Sequence, residues 1–237
     1  MNLDSDILTE EMIQPLRLLY LKAVKGTMAD DDFEAILEIF HCTSQSLYLA
    51  RKKLQQLVNI GVKHVDMCVN SCLAFTGEYS ANVRCTICNA PHYDTGRKTR
   101  KHAVYFPIIE RLRLQFTDPA RVRQLLYQSN YVQDFSKLQD IYDGHLYKEM
   151  LQEGLLADPR DIIFSGSLDG YQIFKQQHDD CWVILLINHN LPPEVRVKKE
   201  NLMVTAVIPG PRAPKDLNSF LRPLVDELLI LESKYNL

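Results

Sequence analysis

The sequence predicts an α+β protein in which helices come first and strands come late. Apolar residues recur with helical spacing through the first sixty residues, whereas the chain after residue 160 is rich in Ile, Val, Phe and Trp. Between these regions, four of the six cysteines fall within a short segment as two close pairs. With 237 residues the chain is long enough to bury a sizeable core.

A helical region is predicted over residues 1–62. Gly26 is a suitable stop for the first helix, and the acidic run Asp30–Asp32 suits the positive end of the second. The predicted helices are Ile7–Ala23, one starting after Met28, and one from an N-cap at Thr43 or Ser44 to Gly61. Three short helices fit either a packed bundle or a helix-turn-helix DNA reader, and the bundle is the commoner outcome.

The cysteine segment predicts a structural zinc site. Two close pairs of thiolates, each on a tight turn, supply a tetrahedral set when the intervening loop folds back. The ligands are spaced C-x3-C-x12-C-x2-C: Cys68, Cys72, Cys85 and Cys88. Four thiolates leave no position for a reactive water, so the expected role is structural. Asn89 follows the second pair, where a left-handed residue is expected. Substitution of one cysteine by a nearby histidine is an alternative, with candidates His64, His92 and His102.

The remaining chain divides into a zinc segment at 63–105, a helical connector at 106–157 and a strand-rich region at 158–237. The connector holds a helix near 108–116 and another with Asp118 as N-cap and Pro119 at its first position. A short helical stretch follows at Leu146–Leu151. Predicted strands are Asp161–Phe164, Tyr171–Lys175, Cys181–Asn188 and Leu202–Ile208, followed by a helix from Asp216 to Lys234.

Charge is distributed unevenly along the chain although the net charge is only −3. Residues 1–40 carry nine acidic against three basic side chains, and residues 97–123 carry eight basic against two acidic. The basic block fits a phosphate backbone and equally fits the acidic block. Its candidate DNA contacts are Arg97, Lys98, Arg100 and Lys101.

Targeting signals and common catalytic motifs are not found in the sequence. No secretory signal or membrane-spanning run is visible, so we expect an intracellular, reducing compartment, where close cysteine pairs favour metal over disulfide. Phosphate-binding glycine loops, a nucleophile elbow and an H-E-x-x-H helix are also missing.

Asp169 is the candidate catalytic residue. A carboxylate at the end of an apolar strand can hold a divalent cation for phosphoryl chemistry. Asp169-Gly170 is also a strong signal for a type I′ hairpin turn, which needs no function. The residues alone favour the turn.

Four blocks of the chain follow one another in the order of a known family pattern. The first is the cysteine segment Met67–Tyr79 with Cys85–Cys88. The others are Asp158–Asp161 leading to Leu168–Gln172, then Leu191–Leu202, then Ile208–Pro211 with Pro214–Leu217. Together they resemble transposases of CACTA-type (En/Spm-like) DNA transposons, especially their fungal branch. Leu168 and Asn89 depart from the family pattern, which commonly has Thr and Gly at these positions.

This resemblance implies that residues 158–237 are the opening β-β-β-α unit of an RNase H-like transposase core. Such a core cleaves and joins DNA with acidic residues around two Mg²⁺ or Mn²⁺ ions, and the first of these residues corresponds to Asp169. The later acidic residues of the family have no counterpart in this sequence. We therefore expect a truncated, catalytically incomplete transposase in the nucleus, with structural zinc and residual DNA binding. The alternatives are a zinc-stabilised protein-interaction module and a transposon relic without function.

Overall fold

The computed structural model describes residues 10–39, 46–58, 60–156, 158–172, 180–210 and 212–235. The chain forms two compact units, residues 1–61 and 62–237. None of the helices in the described ranges is both long enough and apolar enough to cross a membrane.

In the part of the first unit that the structure describes, there are three helices, α1 (Glu10–Lys25), α2 (Asp30–Ile39) and α3 (Leu47–Val58). They pack around a small apolar core formed by Leu18, Phe33, Leu37, Leu47 and Ala50.

The ends of these helices follow capping chemistry. Gly26 has φ 67° and stops α1, as predicted. The N-cap residues predicted for α3, Thr43 and Ser44, lie outside the described residues. Ser46 takes that position, and its hydroxyl accepts a hydrogen bond from the Leu49 amide. Glu34 of α2 accepts another from the Leu47 amide at 2.8 Å, which ties α2 to the start of α3.

The second unit is built on one antiparallel sheet of five strands. The strands are β1 (Lys63–Asp66), β2 (His102–Tyr105), β3 (Phe164–Gln172), β4 (Asp180–Asn188) and β5 (Met203–Pro209). Their order across the sheet is β1-β2-β5-β4-β3. The predicted zinc segment and the predicted transposase core therefore contribute strands to the same sheet, while the boundaries between those segments remain a prediction.

Within the described residues of this unit, five α-helices accompany the sheet. They are α4 (Ile109–Gln115), α5 (Pro119–Leu125), α6 (His145–Gln152), α7 (Pro193–Arg196) and α8 (Leu217–Tyr235). The Asp118 side chain accepts from the Ala120 amide at 2.9 Å, which confirms the predicted N-cap of α5. The helix predicted from Asp216 is α8.

The core of the second unit lies on one face of the sheet. Ile184 of β4 and Ala206 of β5 are paired residues on this face, and Phe220 and Leu224 of α8 belong to the same buried cluster. Removing these apolar side chains from water stabilises the packing of α8 on the sheet. The helix α8 is thereby fixed against the strands that immediately precede it.

The turn predicted at Asp169-Gly170 is wrong. Both residues lie inside β3, a single strand in place of the two strands predicted at Asp161–Phe164 and Tyr171–Lys175. Asp169 pairs with Val183, and Gly170 pairs with Trp182. A Cβ atom at Gly170 would lie 3.3 Å from the Trp182 ring. A side chain at position 170 would crowd the indole. Close packing in a strand therefore gives the glycine of this dipeptide a different explanation from a turn.

Three short elements were not predicted from sequence. β1 and β2 have four residues each, too few for their alternation to stand out. The third is α7, in which Pro192 is the N-cap and Pro193 the first helical residue. A proline is tolerated there because the first amide of a helix has no partner within the helix.

Candidate metal centre and its surroundings

The two cysteine pairs form two tight knuckles that face each other. In the first, the Ser71 amide donates to the Cys68 carbonyl at 2.8 Å, and in the second the Asn89 amide donates to the Cys85 carbonyl at 2.9 Å. Ser71 and Asn89 have φ values of 57° and 59°. The left-handed turn expected at Asn89 is therefore present, and the first knuckle repeats it with a serine.

The four sulfur atoms converge. All lie within 4.8 Å of one another, and Cys68, Cys72 and Cys85 are buried. A Zn–S bond of about 2.3 Å in a tetrahedral site places sulfurs about 3.8 Å apart, so the cluster has the size that zinc needs. The four cysteines could hold a metal such as zinc, and four thiolates would complete its coordination.

The thiols differ in acidity. Burial raises the pKa of Cys68, and it raises that of Cys72 to about 12. The side-chain amide of Asn70 donates to the Cys88 sulfur at 3.4 Å and lowers the pKa of Cys88 to about 6. A metal binds thiolates, so its binding releases protons from buried thiols and becomes weaker as the pH falls.

The structure gives the nearby histidines other roles. His92 is 3% exposed, and its two ring nitrogens lie 3.0 Å from Asp66 Oδ2 and 3.0 Å from the Asn82 carbonyl oxygen. The His92 ring also stacks on Phe75 with a centroid distance of 3.7 Å. His64 and His102 contact each other edge to face across β1 and β2.

Three of the four predicted DNA contacts lie on the surface next to the knuckles. Asp94 closes a turn by accepting from the Gly96 and Lys98 amides, each at 2.8 Å. This turn exposes Arg97 and Lys98, and Arg100 follows, also exposed. A short bridge between Tyr93 and Thr99 closes the hairpin. The basic side chains are therefore carried by a loop with a defined shape.

Lys101, the fourth predicted contact, points into the protein. Its ammonium group donates to the Gly210 carbonyl at 2.6 Å and to the Ser71 hydroxyl at 3.0 Å. Burial lowers the pKa of Lys101. This lysine joins the first knuckle to the end of β5.

Asp169 is exposed in the middle of β3. Among the residues that the structure describes, only the cysteine cluster brings three or more His, Cys, Asp or Glu side chains close enough to share a metal ion. Asp169 does not belong to such a cluster. A single carboxylate holds a divalent ion poorly, since such ions take six or more oxygen ligands.

Sequence reasoning missed a buried ion pair. Arg196 of α7 makes two parallel hydrogen bonds to Asp140, at 2.7 and 2.8 Å, and the two side chains are 7% and 2% exposed. Tyr127 donates a further hydrogen bond to Asp140 at 3.1 Å. The partners are far apart in sequence, so no local pattern connects them.

The same network contains a serine–histidine contact that is not a catalytic pair. His189 Nε2 lies 2.8 Å from Ser165 Oγ, but Arg196 donates to His189 Nδ1 at 3.1 Å. An arginine can only donate, so the ring proton is on Nε2 and points at the serine. His189 therefore does not act as a base toward Ser165. Burial lowers the pKa of His189, and the nearby positive charge of Arg196 lowers it as well.

The ion pair and β3 to β5 lie in the part of the chain that a family model matches. Residues 136–235 match the family model described as "Transposase family tnp2". The match supports a transposase-related protein. The matched region contains Asp140, Arg196 and Asp169, whereas the four cysteines precede it. Comparisons with curated proteins and with solved structures found no match.

Proposed function

We propose that this chain is a transposase-related DNA-binding protein of the CACTA type, of the fungal branch, acting in the nucleus. The resemblance of four ordered sequence blocks supports the type, and the match over 136–235 supports the broader class. In this proposal β3, β4, β5 and α8 are the opening β-β-β-α unit of an RNase H-like core. Their consecutive antiparallel pairing, followed by a helix on one face, is the supporting geometry.

Zinc is the proposed occupant of the cysteine cluster. Its four ligands are Cys68, Cys72, Cys85 and Cys88, and its role is to hold the two knuckles together. The closed set of thiolates supports a structural rather than a catalytic ion.

DNA binding is assigned to Arg97, Lys98 and Arg100. The observation that carries this assignment is the Asp94 turn, which exposes two of these side chains at the tip of a short hairpin. Arginine and lysine at such a tip neutralise phosphates without reading bases. The affinity for DNA should therefore depend weakly on the DNA sequence and strongly on the salt concentration.

Strand cleavage is not proposed for the residues described. Asp169 is the proposed equivalent of the first acidic metal ligand, but two-metal chemistry needs further carboxylates close to it. Among the described residues, Asp169 belongs to no group of three or more side chains that could share Mg²⁺ or Mn²⁺.

The test is DNA binding measured by fluorescence anisotropy across a range of salt concentrations. Replacement of Arg97, Lys98 and Arg100 by alanine should weaken binding and reduce the salt slope by up to about 3, since each phosphate contact contributes about 0.9. A matched control replaces three exposed lysines elsewhere by alanine, at Lys148, Lys198 and Lys199. It should bind as the unmodified protein does.

Two outcomes would contradict the proposal. Absence of measurable binding at low salt would remove the DNA-binding role and favour the protein-interaction alternative. Nicking of the same DNA on addition of Mg²⁺ or Mn²⁺ would show that the chain is catalytically competent, against our expectation that Asp169 lacks the carboxylates that cleavage needs.

A further inference from the structure

The first cysteine knuckle is bonded to the connection between β5 and α8. The Cys72 carbonyl accepts hydrogen bonds from the Lys215 amide at 3.0 Å and the Asp216 amide at 2.8 Å. The Ser71 hydroxyl donates to the Pro209 carbonyl at 3.2 Å. A ligand residue and its neighbour therefore hold both ends of a connection that is more than 130 residues away in sequence.

The bonds continue into the first turn of α8. The Ala74 amide donates to the Ser219 hydroxyl at 2.8 Å, and the Thr76 hydroxyl donates to the Ser219 carbonyl. Ser219 is buried, so these groups have little access to water. Loss of the knuckle geometry would leave several polar groups of the connection without partners, which is costly when they are buried.

Lys101 supplies a charge at the same junction. Four thiolates around one Zn²⁺ ion carry a net charge of −2, and such a charge needs donors or cations around it when it is removed from water. The Lys101 ammonium lies beside the knuckle and bonds Ser71 on one side and Gly210 on the other. A third, longer contact at 3.5 Å reaches the Val69 carbonyl.

Asn70 contributes uncharged donors to the same sulfurs. Its backbone amide donates to Cys68 Sγ and its side-chain amide to Cys88 Sγ, each at 3.4 Å. One residue thus contacts a sulfur from each knuckle. The donors orient these two sulfurs, and Lys101 offsets the remaining charge.

We infer that Lys101 is the counter-ion of the metal centre and that, with the Cys72 carbonyl, it makes the position of the β5–α8 connection depend on the bound metal. Lys101 is in this respect a positioning residue of the metal site and not a DNA contact. This inference rests on the metal-binding part of the proposed function and is independent of DNA binding.

The test compares zinc release from three variants of the full chain loaded with Zn²⁺. Lys101→Met, which keeps the length of the side chain but not its charge, should release zinc to a chromogenic chelator about tenfold faster or more. Lys101→Arg should retain near-normal release because it keeps the charge. Lys199→Met, at an exposed lysine outside the metal and DNA-binding residues, is the control and should release zinc as the unmodified protein does.

Hydrogen exchange of the Lys215 and Asp216 amides, measured by NMR, gives a second readout. Both amides should be protected in the zinc-loaded protein and lose protection in Lys101→Met or after chelation, while the amides of α1 to α3 do not change. If Lys101→Met does not fold, Ser71→Gly removes one partner of the ammonium group at a residue whose φ of 57° suits glycine.

The outcomes separate the inference from the proposed function. Unchanged zinc release and unchanged protection in Lys101→Met would overturn the inference and leave the metal site intact. An unmodified protein that binds no Zn²⁺ would overturn the metal site itself, and the inference with it.

Discussion

The ion pair between Asp140 and Arg196 shows how one residue can control a buried network. Burial opposes ionisation of Asp140, but the hydrogen bonds from Arg196 outweigh burial, and the pKa of Asp140 lies below its usual range. Removing one partner of such a pair leaves the other charge buried without compensation. Tyr127 and His189 would also lose the charges that they now contact.

Asp140→Asn should therefore lower the free energy of unfolding by about 3 kcal/mol, measured by urea denaturation at pH 7. The folded-state pKa of Asp140 is lowered, so its stabilisation is complete above about pH 4 and is lost as the pH falls further. The difference between variant and unmodified protein should shrink accordingly in acid.

Asp158→Asn is a suitable comparison for this prediction. Asp158 also pairs with an arginine, Arg160, but both side chains are exposed and close in sequence. The variant should unfold at nearly the same urea concentration as the unmodified protein. Equal effects of the two substitutions would show that burial of the Asp140 pair has no energetic consequence.

Among the elements, α4 begins where α8 supplies a cap. Glu227 of α8 is buried and accepts from the Ile108 amide at 2.6 Å and the Ile109 amide at 3.4 Å. Lys63 of β1 lies 3.6 Å from the same carboxylate. A negative charge at a helix N-terminus is favourable. The helix α8 therefore packs on the sheet and also stabilises the N-terminus of α4.

Glu227→Ala should reduce the free energy of unfolding by about 1 to 3 kcal/mol, because the Ile108 amide is left buried without an acceptor. Glu227→Gln keeps one acceptor oxygen and should cost less. Glu232→Ala, at an exposed position of the same helix, should leave the denaturation curve unchanged. A similar loss for Glu232→Ala would assign the effect to helix propensity rather than to the cap.

At the scale of the whole molecule, the chain has two compact units and the candidate metal site lies within one of them. A metal that binds only the folded state stabilises the unit that holds its ligands. Trp182, the one tryptophan of the sequence, lies in β4 of that unit. Its fluorescence therefore reports unfolding of residues 62–237 separately from that of the helical unit.

Chelation of the metal should lower the unfolding midpoint seen by Trp182 fluorescence by about 10 °C, if metal binding contributes several kcal/mol. The Cys88→Ser variant should show the same lowered midpoint and no further response to the chelator. A fluorescence midpoint that chelator does not move would argue against a structural metal in this unit.

Local sequence signals predicted the end of α1, the α5 cap and the turn of the second cysteine knuckle, because each depends on residues within one or two turns of chain. Gly26, Asp118 and Asn89 are local signals of this kind. Spacing alone also specified the four cysteines as a set, although only the folded chain brings their sulfurs within one coordination sphere.

Contacts between distant segments settle the conformations that local sequence signals left open or predicted wrongly. Asp169-Gly170 carries a turn signal but lies in a strand, because Trp182 of the neighbouring strand packs over the glycine. Lys101 belongs to a basic run but turns inward, because the β5–α8 connection offers it acceptors that lie over a hundred residues away. Contacts between distant segments have no pattern in the sequence, and they determine which of these side chains face solvent.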